Sequence, residues 1–240
     1  MTELSIVIPA RNEAENIGAL LDGIDAALAG RDYEVIVVDD ASDDGMAEVL
    51  AARLASAPRL RVLRHDRAGG QSAAVNSGVK AARGAICATL DGDGQNPPEE
   101  LPKLIGPLEA PGAEAIGLVA GQRVGRQDTF SKKFASRFAN ALRARVLHDG
   151  TRDTGCGLKA FRREPFLNLP YFDHMHRYLP ALFVRDGWAV AHVDVAHRAR
   201  GGGRSHYSNL QRALVGAVDL LAVAWLIKRR KKARPTEVTR

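Results

Sequence analysis

The chain has 240 residues, 45% of them hydrophobic and 26% charged, with a formal net charge of +6. That is enough chain for one large core, and the composition excludes disordered and low-complexity classes. The charge asks for an anionic partner: phosphates, an anionic membrane surface or nucleic acid. The N-terminus shows no basic and apolar leader pattern. Cys87 and Cys156 lack metal-ligand spacing and read as free thiols of a reducing compartment.

Leu4 to Ile8 reads as a short strand stopped by Pro9. Asn12 is placed to cap a helix reaching about Leu28, with Ile17, Leu20, Leu21, Ile24 and Leu28 on one face and Gly30 as its stop. Glu34 to Val38 reads as a second buried strand that runs out into Asp39-Asp40-Ala41-Ser42-Asp43-Asp44-Gly45. Met46 to Leu54 is helical in pattern, and Leu60 to Arg64 is a third strand. The stretch from His65 to Asn76 is a glycine-bearing turn into a helix that ends near Arg83. Backbone N–H groups at such a turn can face a phosphate, although the stretch is neither a dinucleotide fingerprint nor a Walker loop.

Ala85 to Leu90 is a fourth strand, and it ends in Asp91-Gly92-Asp93-Gly94-Gln95-Asn96-Pro97-Pro98. Carboxylates at the carboxyl end of a buried strand lie where open α/β sheets bind ligands. Asp91, Asp93 and Gln95 offer hard oxygen ligands for Mg²⁺ or Mn²⁺, with room for phosphate oxygens. Gly92 and Gly94 let the backbone turn sharply and approach a ligand. One Asp-x-Asp alone is as readily a polar turn or a helix cap. Two strand ends rich in carboxylates within one domain favour a shared ligand site. The β/α alternation of the first hundred residues argues for a parallel sheet with right-handed crossovers.

Leu101 to Leu108 is a short helix, and Ile116 to Gly121 is a strand closed by Gln122-Arg123. A basic region follows, in which Phe130, Phe134, Phe138 and Leu142 recur at helical spacing beside Lys133 and Arg137. That stripe either faces the core or meets lipid. Asp153 to Arg163 is a glycine-rich turn into a strand, His174 to Arg177 introduces a helix to about Asp186, and Trp188 to Val195 is a last strand. The histidines do not follow a zinc pattern. From His197 to Tyr207, three glycines sit among three arginines, which suits either a flap closing on phosphates or a solvated linker. The apolar run 214–227 is too short to span a bilayer, and Lys228, Arg229, Arg230, Lys231, Lys232 and Arg234 follow it. An apolar helix beside a polybasic cluster fits an interfacial anchor, a packed terminal helix or a partner-binding helix. The expected organisation is a catalytic domain over 1–212, a membrane-surface segment over 213–232 and a disordered tail over 233–240.

Taken together, these pieces resemble family 2 glycosyltransferases of the GT-A fold, and more narrowly the polyprenyl-phosphate group that includes dolichol-phosphate mannose synthases. The resemblance rests on Ile-Pro-Ala-Arg-Asn-Glu at 8–13, Val-Val-Asp-Asp-Ala-Ser-Asp-Asp at 37–44, Asp-Gly-Asp-Gly-Gln-Asn-Pro-Pro-Glu at 91–99 and Arg-Gly-Gly-Gly-Arg-Ser-His-Tyr at 200–207. It implies an α/β, Rossmann-like, mostly parallel central sheet flanked by helices, with a C-terminal interfacial helix. It implies that Pro9, Arg11, Glu13 and Asp40 line the nucleotide pocket, and that Asp91 and Gly92 meet the nucleotide sugar. Asp93 and Gln95 would hold Mg²⁺ or Mn²⁺, Arg123, Lys133 and Ser136 the acceptor phosphate, and Arg200 and His206 the donor phosphates. The partners so implied are a UDP- or GDP-linked sugar, a polyprenyl phosphate and an anionic membrane surface, with the protein peripheral on the cytoplasmic face of the cell membrane. Arg11 stands where an aromatic is frequent in the group, and His206 where a lysine is usual.

The implied reaction is inverting and needs no dedicated base, because a phosphate acceptor is already ionised. A saccharide or protein hydroxyl acceptor would need a carboxylate base, for which Asp153 is the candidate. A non-catalytic membrane- or nucleic-acid-binding module is the reading from another class. With aromatics at 5% and no stacking pattern, nucleic acid is not expected.

Overall fold

The computed structural model describes residues 2–124, 143, 145–198, 209–230, 233 and 236–238, with the backbone alone over 209–214. Seven strands form one sheet in the order β3-β2-β1-β4-β6-β5-β7. β1 (Leu4–Ala10), α1 (Ala14–Ala27), β2 (Tyr33–Asp39), α2 (Met46–Leu54), β3 (Leu60–Arg64), α3 (Gln71–Ala81) and β4 (Ile86–Thr89) alternate, and their strands are parallel. After α4 (Leu101–Glu109) comes β5 (Ile116–Arg123), which runs parallel to β7 (Ala189–Val195). Between β4 and β5 lies β6 (Lys159–Arg162), antiparallel to both. Three further α-helices are α5 (Arg163–Leu167), α6 (Leu179–Arg185) and α7 (Asn209–Lys228).

The sheet is covered on both faces, as a parallel sheet requires. Side chains alternate along β1: Leu4, Ile6 and Ile8 pack under α1 and α4, while Val7 faces the opposite cluster with Val75, Val79, Leu182 and Phe183. The period-2 pattern thus sends Leu4, Ile6, Ile8 and Ala10 to one core and Val7 to the other.

Two local expectations are corrected. Pro9 does not stop β1, which continues to Ala10. Val7 turns its carbonyl to β4, so Pro9, two residues on, turns its nitrogen the same way, beyond the last β4 pair at Thr89. A missing N–H there breaks no ladder bond. Asn12 does not cap α1 either. It takes a left-handed φ of 57°, and Asp44 Oδ2 accepts the Ala14 N–H at 2.8 Å instead. α5 was not anticipated, being five residues long with Pro165 inside. α7 begins at Asn209, five residues ahead of the apolar run that starts at Leu214.

Candidate active site

The carboxyl ends of β1, β2 and β4 converge, and their loops are tied to one another. The Asn12 N–H donates to Ser42 Oγ at 3.0 Å, and the Asp43 N–H donates to Asn12 Oδ1 at 3.0 Å. The acidic stretch after β2 therefore divides its labour. Asp43 and Asp44 latch the β1 loop, and Asp39 Oδ1 caps its own turn through the Ser42 N–H at 2.8 Å. Asp40 looks across to the head of α3. Its Oδ1 accepts the Gly69 N–H at 2.7 Å and faces His65 Nδ1 at 2.7 Å, and its Oδ2 accepts the Gly70 N–H at 2.8 Å. Burial opposes the charge on Asp40, but these donors and His65 outweigh it and hold the carboxyl below its ordinary range. A carboxylate is acceptor-only, so His65 Nδ1 carries the proton, and Ser77 Oγ lies 2.9 Å from Nε2. Gly70 takes φ +83°, a conformation that favours glycine.

Asp91 sits at the centre of the convergence. Gln71 Nε2 donates to its Oδ1 at 2.6 Å and Asn96 Nδ2 to its Oδ2 at 3.1 Å. From below, Gly157 approaches so closely that a Cβ there would lie 2.2 Å from Asp91 Oδ2. Thr89 Oγ1 donates to the Gly157 carbonyl at 2.8 Å and fixes that approach. Gly92 lies against β1, where a Cβ would meet that of Ala10 at 2.9 Å. Burial, then the nearby Asp93, pushes the Asp91 carboxyl up, while buried Lys159 partly offsets them. Lys159 itself, donating to the Cys156 carbonyl, is pushed down by burial. Asp93 Oδ1 accepts the Gln95 N–H at 3.1 Å, which curls the loop. Two adjacent carboxylates beside an amide oxygen are a donor set that suits a hard divalent cation completed by phosphate oxygens. Among the described residues no cluster of three or more His, Cys, Asp or Glu side chains forms a metal cage.

Pro9 is buried near the end of β1, Arg11 is exposed just beyond it, and Glu13 immediately precedes α1, accepting from Asn16 Nδ2 at 2.7 Å. Arg123 ends β5 and forms a two-point ion pair with Asp153, Nη2 to Oδ1 at 2.9 Å and Nε to Oδ2 at 2.5 Å. Asp153 Oδ1 also accepts the Gly155 N–H at 3.1 Å. Past β7, the Arg198 N–H donates to the Gln95 carbonyl at 3.0 Å, so the chain leaving that strand is fastened to the Asp93 loop. Lys133, Ser136, Arg200 and His206, with the Phe130–Phe134–Phe138–Leu142 stripe, lie outside the described residues.

Asn96 lies five residues beyond Asp91 in the same loop motif. Gln71, Gly157 and Lys159, which also shape Asp91, carried no signal of their own in the sequence, because each is distant from it in the chain. The same holds for Ser72 and His176: Ser72 Oγ lies 2.7 Å from His176 Nδ1 and accepts its backbone N–H at 3.2 Å. Burial pushes His176 down to about 3, so the imidazole is neutral. The two thiols are inert, Cys87 being pushed up to about 12 by burial and Cys156 raised for the same reason.

α7 is fastened to the segment beside this site. His174 Nδ1 faces Asp219 Oδ2 at 3.0 Å, Tyr178 OH donates to the Gly216 carbonyl at 3.3 Å, and Arg185 Nε donates to the Leu226 carbonyl at 3.0 Å. Val223 is fully buried against the core, while Val215, Val218, Leu221 and Trp225 form an exposed apolar stripe, with Leu221 72% exposed. Among the described residues no helix is long and apolar enough to cross a membrane.

Comparison with known proteins agrees with this geometry. The dodecaprenyl-phosphate galacturonate synthase of Rhizobium johnstonii is 35% identical over 97% of this chain and 69% of its own length. An undecaprenyl-phosphate 4-deoxy-4-formamido-L-arabinose transferase of Yersinia pestis is 35% identical over 91% of this chain. This chain spans 66% of that relative's length. Among solved structures, glucosyl-3-phosphoglycerate synthase from Mycobacterium tuberculosis, in complex with Mn²⁺, UDP and glucosyl-3-phosphoglycerate, superposes with a TM-score of 0.71 at 23% identity. That match covers 97% of this chain and 82% of the other, and it establishes a shared GT-A fold. Residues 5–169 match the profile of Glycosyl transferase family 2, and with the relatives this places the chain in that family: it is a family 2 glycosyltransferase.

Proposed function

We propose that this glycosyltransferase moves a sugar from a nucleoside diphosphate sugar to a polyprenyl phosphate at a membrane surface, with inversion at the anomeric carbon. The observation that carries the reading is the joining of two features by hydrogen bonds. A carboxylate cradle at the sheet's carboxyl edge is fastened, through the 174–178 segment, to a helix with an exposed apolar stripe. The two relatives named above act on lipid-linked phosphates, by their names, which supports the same acceptor class.

The residues divide the work as follows. Asp91, oriented by Gln71 and Asn96, meets the sugar, and Asp40 with Pro9, Arg11 and Glu13 forms the nucleotide end. Asp93 and Gln95 would hold a divalent ion, Mg²⁺ or Mn²⁺, whose charge neutralises the donor diphosphate. Arg123, Lys133 and Ser136 meet the acceptor phosphate, and Arg200 and His206 the donor phosphates. The α7 stripe and the basic residues after it sit against anionic lipid on the cytoplasmic face.

Asp153 bears on the hydroxyl-acceptor alternative. Its oxygens are committed to Arg123 and the Gly155 N–H, so the carboxylate is held in an ion pair rather than presented to an acceptor hydroxyl. The test is transfer of label from a panel of UDP- and GDP-sugars to an organic-extractable product, with polyprenyl phosphate and Mg²⁺ or Mn²⁺ and an EDTA control. EDTA-sensitive label in the organic phase is expected. Donor hydrolysis with no lipid label would refute the acceptor.

A further inference from the structure

Tyr171 is a large aromatic side chain that the core does not use. It is 52% exposed, whereas its neighbour Phe172 turns inward, its ring 6.3 Å from that of Tyr178. Among the described residues the only other aromatic so exposed is Trp225 on α7, where the apolar stripe accounts for it. The backbone around Tyr171 is held firmly against the head of α3. Ser72 binds both the backbone N–H and the ring of His176, and the Met175 N–H donates to the Phe172 carbonyl at 3.2 Å. Asp173 comes within 3.8 Å of where a Cβ on Gly70 would lie. Gly70 is one of the residues that pin Asp40, so the 171–173 segment borders the nucleotide end of the site. The ring's position agrees: burial, then Asp173 and Asp40, raises the Tyr171 phenol.

We infer that Tyr171 forms the aromatic wall of the nucleobase subsite, facing the Asp40 turn, and supplies the stacking surface that exposed Arg11 does not. An exposed aromatic at the rim of a nucleotide site has a preformed π-face, and every nucleobase offers a matching one. The inference rests on the donor-site reading above and adds the residue that holds the base.

The test measures dissociation constants for UDP, GDP and pyrophosphate in the presence of Mn²⁺, by calorimetry, for the wild type and for Tyr171→Ala, Tyr171→Phe and Tyr171→Trp. The alanine variant is expected to bind the preferred nucleoside diphosphate roughly ten-fold more weakly. The Phe and Trp variants should stay near wild type, and pyrophosphate, which lacks a base, should bind all four proteins alike. The donor KM of the alanine variant should rise with little change in kcat. Unchanged nucleotide binding by Tyr171→Ala would overturn the inference and leave the donor site standing. Equal weakening toward pyrophosphate would overturn it as general damage to the site. A wild type that binds neither nucleotide would overturn the donor-site reading and the inference with it.

Discussion

Gly157→Ala is the sharpest probe of the Asp91 cradle. A Cβ at position 157 would lie 2.2 Å from Asp91 Oδ2, 2.4 Å from Cγ and 2.5 Å from Oδ1. Ordinary contact begins near 3.4 Å, so the carboxylate must retreat by about 1 Å. Retreat of residue 157 itself is opposed by the Thr89 hydroxyl on its carbonyl, 2.8 Å away, and by the buried Cys156 and Leu158 on either side. The carboxylate therefore leaves the geometry set by Gln71 and Asn96. A displacement of that size at a reacting centre costs about 100-fold in turnover, and overpacking of this kind costs about 1–3 kcal/mol of stability. The assay is kcat at saturating donor, paired with urea unfolding. Gly106→Ala serves as the control. It is an exposed mid-helix glycine whose Cβ position has nothing within 4 Å beyond its chain neighbours, so activity should hold. Gly157→Ala retaining more than half of wild-type kcat would refute the claim that this close approach sets the position of Asp91.

Other consequences can be checked independently. Asp93→Asn should lower metal-stimulated turnover by about 100-fold or more, read from Mn²⁺ titrations of the transfer rate. Leu221→Glu with Trp225→Glu, on the exposed stripe, should lower partition to anionic vesicles by about ten-fold or more and leave the unfolding midpoint near wild type. His176 is pushed down to about 3 from 6.5, so its contribution to stability is fully present above pH 6.5 and is lost as pH falls toward 3. Between pH 7 and 5 the urea-derived stability gap between wild type and His176→Asn should narrow by about 2 kcal/mol, at about 1.4 kcal/mol per pH unit below 6.5. An unchanged gap would mean that the imidazole is not buried as neutral.

Much of the fold was legible because its signals are local. Met46–Leu54 and Leu60–Arg64 fall where the apolar pattern and flanking turns place them. The β/α alternation anticipated the parallel half of the sheet. The expectations that failed did so because a partner distant in the chain decided the outcome. Asn12 is a good capping residue by type, but Asp44, thirty residues beyond Ala14, takes the Ala14 N–H and leaves Asn12 to bind Asp43. Pro9 reads as a strand breaker, yet the early end of β4 removes the bond it would have broken. For α7, periodicity could not choose between a packed helix and an interfacial one. The structure shows a buried Val223 and an exposed Leu221 on the same helix, so one face packs and another is free.

The site follows the same division. Asp91 and Asp93 could be singled out because two strand ends carrying carboxylates is a pattern written along the chain. Most of what positions Asp91 is not written along it. Gln71 comes from the head of α3, Asn96 from the loop after β4, and Gly157 from the turn before β6, brought in by a strand antiparallel to both its neighbours. In that register Lys159 lies opposite Thr89. The turn before β6 is thereby carried back beneath the Asp91 loop, where Thr89 holds the Gly157 carbonyl. A parallel strand in that place would carry its preceding turn to the other edge of the sheet. The antiparallel strand is thus the topological feature that closes the floor of the site, and it is why a glycine sixty-six residues beyond Asp91 governs where that carboxylate sits.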